Sequence, residues 1–157
     1  MKNLLLLLAI TIVSPTFGQS FSDEKVSLGN FIKRMYAATP FEGVKIIDDY
    51  NHQYLISVVS LDKAKYPSPS IMNRVAQVKS QSQANTFLNG SQVTSETVIS
   101  TKDSVVNDST KKTVVTVVEK IKENAIGFVN GMELLTNFDN KEATRMVFIF
   151  IKEIKKD

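Results

Sequence analysis

The sequence predicts an α+β fold: an antiparallel sheet of about four to six strands, one long amphipathic helix across a face, and a second, N-terminal helix packed beside it or at its edge. Three observations lead there. The stretch "MNRVAQVKSQSQANTFLNG", Met72 to Gly90, repeats apolar or small residues every four positions, as one face of a helix does. The stretches around Val44–Leu61 and Met132–Ile154 are rich in β-branched and aromatic residues, with turn-forming residues between the runs. Finally, Leu28, Phe31, Ile32, Met35 and Tyr36 recur at helical spacing in a shorter segment.

The first helix is expected over Ser22–Ala38. Ser22 suits a cap, and Asp23 and Glu24 occupy the first turn, where the helix dipole favours negative charge. Pro40 stops it. Its apolar face should pack into a core; Phe31 and Met35 are the members a partner would otherwise meet. A hairpin follows, with strands near Val44–Tyr50 and Gln53–Leu61 and a turn near Asn51-His52. "DKAKYPSPS" is a loop set off by two prolines.

The long helix is expected over Ser70–Leu88, capped by Ser70 and ended by Asn89-Gly90. Met72, Ala76, Ser80, Ala84 and Leu88 share a face, with Val75 and Phe87 beside it. The ends of that face are large and its middle is small. A small middle lets a helix lie close to a sheet whose Ile, Phe and Val supply the missing volume. Arg74, Gln77, Gln81 and Asn85 then face water. The alternative is a ligand groove over Ala76, Ser80 and Ala84.

Beyond Gly90 the pattern is mainly extended. "SQVTSETVIS" alternates through Val93, Thr97 and Ile99, and "STKDSVVNDSTKK" is a polar loop. Thr113–Val118 is a β-branched run and reads as a strand. "GMELLTNF" places Met132, Leu134 and Phe138 on one side, "DNKEA" is a turn, and "TRMVFIFIKEI" is a strand apolar on both faces from Met146 to Ile151, hence central. Glu119–Val129 stays open between strand and helix, because Val114, Val118, Ile121, Ala125 and Val129 also recur at helical spacing and Asn130-Gly131 would cap such a helix.

At 157 residues, with 43% apolar and 22% charged residues, the chain fits one folded domain. Its start differs in kind. Lys2, the apolar run Leu4–Val13, then Ser14, Pro15 and Gly18, form the pattern of a cleaved signal peptide over residues 1–18, leaving 19–157 as the single domain. The apolar run is shorter than the roughly 20 residues that span a bilayer, so no integral membrane segment is expected after cleavage. The expected location is therefore periplasmic or secreted. Cysteine is absent, which excludes disulfides, thiol nucleophiles, Cys-metal sites and lipid attachment at a Cys. Removing the leader removes Lys2 and no acidic residue, taking the formal charge from +3 to +2, so nothing points to nucleic acid. The terminal "KEIKKD" is a solvated strand end.

Three segments together carry a resemblance: "NRVAQVKSQSQANTFLNGSQVTSETVI", "EKIKENAIGFVNGMELLTNFDN" and "RMVFIFIKEI". From Asn73 to Ile154 this pattern resembles the twenty-kilodalton membrane-associated lipoprotein family of Gram-negative bacteria. The resemblance implies an α+β domain and a structural role in the envelope or at the flagellum, without known catalysis. The lipid-bearing Cys of that family is missing here, so the anchoring it implies does not carry over. "FGQ" and "NGMELLTNFD" also look like uncharacterised exported proteins of Bacteroidetes-type bacteria.

Few residues are placed for chemistry. His52 is the only histidine, so any Ser-His-Asp triad must use it. Asp48, Asp49 and His52 cluster in "DDYNH" and could in principle hold a metal, but a hairpin tip selects these types for turn geometry. Glu96, Asp103, Asp108, Glu119, Glu123 and Glu133 are scattered, and a carboxylate pair for glycoside hydrolysis would need the fold to bring two into a cleft. Gly90 and Gly131 stand alone after Asn, unlike a phosphate loop. Asp103-Ser104-Val105 resembles the site at which Bacteroidetes-type bacteria attach O-glycans. The expected function is a non-catalytic, exported cell-envelope binding or assembly module with an unidentified envelope partner. No catalytic residue, cofactor or metal site is assigned. The alternative is a small periplasmic ligand carrier or hydrolase with its cleft at Ala76, Ser80 and Ala84.

Overall fold

A computed structural model describes residues 23–49, 52–90, 97–101, 108, 112, 115–116, 118–119, 121 and 125–154. The expected leader, Val93, Glu96, Asp103, Ser104, Val105 and Glu123 lie outside the described residues. The described elements are helix α1 (Asp23–Ala38), strands β1 (Gly43–Asp49) and β2 (His52–Asp62), helix α2 (Pro69–Gly90), strand β3 (Val98–Ser100), helix α3 (Ala125–Asn130), and strands β4 (Glu133–Asp139) and β5 (Arg145–Ile154). The strands form one sheet in the order β3-β1-β2-β5-β4.

The centre of that sheet is the antiparallel pair β2–β5, in unbroken register from Gln53↔Ile154 to Asp62↔Arg145. Both strands are apolar at successive positions, and side chains of a strand alternate between faces. On one face Leu55, Val59, Leu61, Phe148 and Phe150 form a core with Met72, Ala76, Ala84 and Leu88 of α2. On the other, Ile56, Val58, Val147, Ile149 and Ile151 form a second core with Leu28, Ile32 and Tyr36 of α1. Each such side chain contributes roughly 1.5–3 kcal/mol by leaving water, so neither face can stay bare. The result is three layers, helix on sheet on helix. The expectation of α1 beside α2 or at its edge is corrected accordingly: the two helices cover opposite faces.

Three further expectations are revised. The sheet is mixed, because β3 runs parallel to β1 through Ile46↔Val98, Ile47↔Ile99 and Asp48↔Ser100. The strand expected over Thr113–Val118 is not found at its described residues: Val115, Thr116 and Val118 are helical, as are Glu119 and Ile121, and α3 continues the same periodicity. Val118, Ala125 and Val129 are buried in the α2-side core, with Ile121 packed against it. Burying such a face outweighs a β preference that spans only about 1 kcal/mol per residue. Lastly, a bulge in β4 between Leu134 and Thr136 splits the face expected for Met132, Leu134 and Phe138. Met132 and Leu134 face α2, whereas Leu135 and Phe138 face α1. One inserted residue sends the rest of a strand to the opposite side.

The long helix is as expected in its contacts, but its cap is Ser68, two residues before the expected Ser70. The Ser68 hydroxyl accepts from the Ile71 N–H at 3.3 Å, and Pro69 takes the first helical position, which needs no N–H. Ala76, Ser80 and Ala84 are all 0% exposed, so the small middle lies flush against the sheet. Polar pegs pin it there: the Ser57 hydroxyl donates to Gln83 Oε1 at 2.8 Å, and the Ser80 hydroxyl sits 4.0 Å from Met132 Sδ. Enlarging this waist must force the layers apart. Ala84→Leu is expected to lower the unfolding free energy by about 1–3 kcal/mol in urea titration. Unchanged stability would contradict the close contact.

Candidate functional site

Helix α1 does not sit centrally on its face of the sheet. Lys25 pairs with Glu133 of β4, Gly29 lies against Leu135 and Thr136, and the Tyr36 ring meets Phe138 edge-on at 5.5 Å. The helix therefore leans toward the β4 edge and leaves room on the β1 and β3 side. A cavity of about 590 Å³ occupies that room. Asp23, Glu24, Ser27, Leu28, Phe31 and Arg34 form its wall, and Asp49, His52, Tyr54 and Thr101 its floor. The wall residues follow helical spacing over about 16 Å of α1 at 1.5 Å per residue. Floor positions are set by strand alternation: Asp49 and His52 are cross-strand partners, and Tyr54 is two residues on.

The floor is held by its own bonds. The His52 Nδ1 lies 2.9 Å from Glu153 Oε1, and its ring stacks on Tyr54 with centroids 6.0 Å apart. The bond to Glu153 raises the imidazole's pKa above its ordinary value; desolvation opposes it, and the charges of Glu153, Glu24 and Asp49 add to it. Burial, followed by the same three carboxylates, raises the Tyr54 phenol. Thr101 Oγ1 donates to Asp49 Oδ1 at 2.5 Å, tying the short β3 segment to the β1 end. The Tyr54 ring is buried, while its hydroxyl, bonded to no described residue, opens onto the cavity and is not among the buried polar atoms left without a partner. Asp23, Glu24 and Arg34 likewise enter no ion pair among the described residues.

The "DDYNH" cluster does not converge. Asp48 points to the α2 side, is 7% exposed, and accepts from Gln53 Nε2 at 3.0 Å. Asp49 and His52 point to the α1 side, because neighbouring strand residues face opposite ways. Gln53 Oε1 is buried without a partner beside Asp48. Among the described residues no three His, Asp or Glu side chains are placed to hold a metal ion. Of the scattered carboxylates, Asp108, Glu119 and Glu133 are exposed. The cleft anticipated at Ala76, Ser80 and Ala84 is corrected: those residues are packed core, and the cavity lies on the other side of the sheet.

Sequence reasoning missed most of the wall and floor. Asp23, Ser27 and Arg34 share a helical face, a signal that was present but secondary to the apolar stripe. Thr101 and Glu153 join His52 only through the β1–β3 and β2–β5 pairings, which no local pattern announces. Chemically, Glu153 orients an imidazole at the rim, as the carboxylate of a catalytic triad does. Ser27 lines the same cavity, but among the described residues no hydroxyl lies within hydrogen-bond distance of His52. Among the described residues, the arrangement orients polar groups around a space.

The His52–Glu153 pair has a measurable consequence. An NMR titration of the His52 ring is expected to give a midpoint above about 6.5, and Glu153→Gln should lower it toward that value. Because the folded-state pKa is raised, the pair's contribution to stability is full below about pH 6.5 and is lost as pH rises through the folded-state midpoint. A midpoint unchanged by Glu153→Gln would contradict the pairing.

No protein-family model matches the chain, and neither a characterised protein nor a solved structure was found to match it.

Proposed function

We propose that the chain is an exported, non-catalytic binding or assembly module of the cell envelope, and that the cavity beside α1 is its recognition surface. The observation that carries this reading is the lining: apolar Leu28 and Phe31 stand among Asp49, His52 and Tyr54, whose positions are set by the sheet and by bonds to Thr101 and Glu153. Preformed pockets that bind small ligands or chain segments have this mixture. The N-terminal leader pattern supports export, and the resemblance to the membrane-associated lipoprotein family supports an envelope role. No helix among the described residues is long and apolar enough to cross a membrane.

A hydrolase is the second reading, favoured by the His52–Glu153 pair at the rim and Ser27 in the same wall. The two readings separate in one experiment. Protein exported by the native cell is captured with whatever it retains, alongside a Ser27→Trp variant; Ser27 is exposed, so the indole fills the cavity and leaves the core intact. Binding predicts a small molecule or protein retained by the wild type and reduced at least tenfold in the variant, and unchanged when recovered with Ser27→Ala. Equal retention by Ser27→Trp would overturn the cavity as recognition surface. Chemical conversion of the retained molecule, abolished by Ser27→Ala and His52→Asn, would establish the hydrolase.

A further inference from the structure

Strand β4 ends the sheet, and its outer edge is unpaired among the described residues. Its seven residues pair with β5 on one side, and no backbone group from Glu133 to Asp139 bonds to a described residue outside that ladder. A strand in this position turns alternate N–H and C=O groups outward, a template on which another chain can pair. Proteins guard such edges with bulges and charge. Here the bulge occupies only the first half, between Leu134 and Thr136. The two carboxylates are each taken up, Glu133 by Lys25 and Asp139 by Lys63 at 2.7 Å. From Thr136 to Phe138 the ladder is regular and the edge is unguarded.

Beside this edge, on the α1 face of the sheet, runs a groove of about 210 Å³. It is separate from the cavity described above. Its wall is the opposite side of α1, at Lys25, Val26, Gly29 and Asn30, and its floor is Leu135 and Thr136. Gly29 sets its depth, since a methyl group there would lie 3.7 Å from Thr136 Cγ2. Val26 offers the groove an apolar side chain that is 51% exposed. Further along α1, the Lys33 ammonium stands 5.5 Å from the centre of the Phe138 ring and meets no carboxylate among the described residues. Side chains of a strand alternate between faces, so a strand added to β4 would send the residues opposite Thr136 and opposite Phe138 to the same face. The first falls on the groove beside Val26, and the second falls at Lys33.

We propose that the Thr136–Phe138 edge docks an extended segment of a partner protein, one that carries an apolar side chain for the groove and, two residues away, an acidic side chain for Lys33. Main-chain hydrogen bonds supply the attraction, and the two side chains supply the selection. A second copy of this chain fits less well, because antiparallel β4–β4 pairing about Asn137 brings two Lys33 cations to one face. The site is independent of whether the cavity on the other side of α1 holds a ligand.

The probe is the acetylated and amidated peptide TDTVTT, which in antiparallel pairing sets its aspartate at Lys33 and its valine in the groove. It is titrated into the purified protein beside TKTVTT and a fully N-methylated TDTVTT, which cannot donate main-chain hydrogen bonds, and followed by amide NMR. TDTVTT is expected to shift Val26, Lys33, Thr136, Asn137 and Phe138 and to slow hydrogen exchange at β4 amides. TKTVTT should bind about threefold more weakly, the scale of an exposed ion pair, and Lys33→Glu should reverse that order. Val26→Asp should weaken TDTVTT by about as much. Val26 and Lys33 are both exposed, so these variants keep the core intact. Equal binding by the N-methylated peptide, or an order that Lys33→Glu leaves unchanged, overturns the proposal. So do shifts confined to residues elsewhere, or none with any peptide. Protection of the same amides that grows with protein concentration in the absence of peptide assigns the edge to a second copy and likewise overturns it.

Discussion

The structure depends on the pairing of β2 with β5. These two strands are apolar on both faces along most of their ten paired positions, which is unusual for strands that meet antiparallel. A pair of that composition cannot present either face to water. It demands cover twice, and the rest of the chain is arranged to provide it. The N-terminal helix closes one face; α2, with α3 and the helical residues before it, closes the other. Strand β1 extends the pair on one side and β4 on the other, so the most apolar strands sit away from the edges.

The two covers differ, and the difference creates the cavity. Twenty-two residues of α2 run across β1, β2 and β5 and reach the sheet closely through Ala76, Ser80 and Ala84. Sixteen residues of α1 meet their face through Leu28, Ile32 and Tyr36, large side chains that hold the helix higher, and side contacts to Glu133, Leu135 and Phe138 draw it toward β4. The space left over β1 and β3 is walled by the other side of α1. Strand alternation then places Asp49, His52 and Tyr54 on its floor and sends Asp48 and Gln53 to the opposite core. Function, in this view, occupies what an off-centre helix leaves uncovered.

Much of this was legible locally. The small waist of α2 foretold close helix–sheet contact, the hairpin followed from β-branched runs around Asp49 to His52, and the doubly apolar run from Met146 to Ile151 foretold an interior strand. The errors have specific causes. Around Val118 a strong local β preference met a helical face that tertiary packing could bury, and burial won. The bulge at Leu135 changes facing without any mark in composition. Which face α1 takes, and the parallel docking of β3 on β1, are decided by long-range pairing. The cavity inherits that limit, since Glu153 and Thr101 are 101 and 52 residues from the side chains they hold.

The central claim is that the β2–β5 pair is covered by α1 on one face and α2 on the other. Isoleucine methyl labelling tests it most directly, because the isoleucines divide between the two cores: Ile32, Ile47, Ile56, Ile149 and Ile151 in one, Ile46 and Ile154 in the other. Methyl–methyl nuclear Overhauser effects are predicted from Ile32 of α1 to Ile56, Ile149 or Ile151. Effects from Ile32 to Ile46 or Ile154 would place both helices on one face and contradict the account.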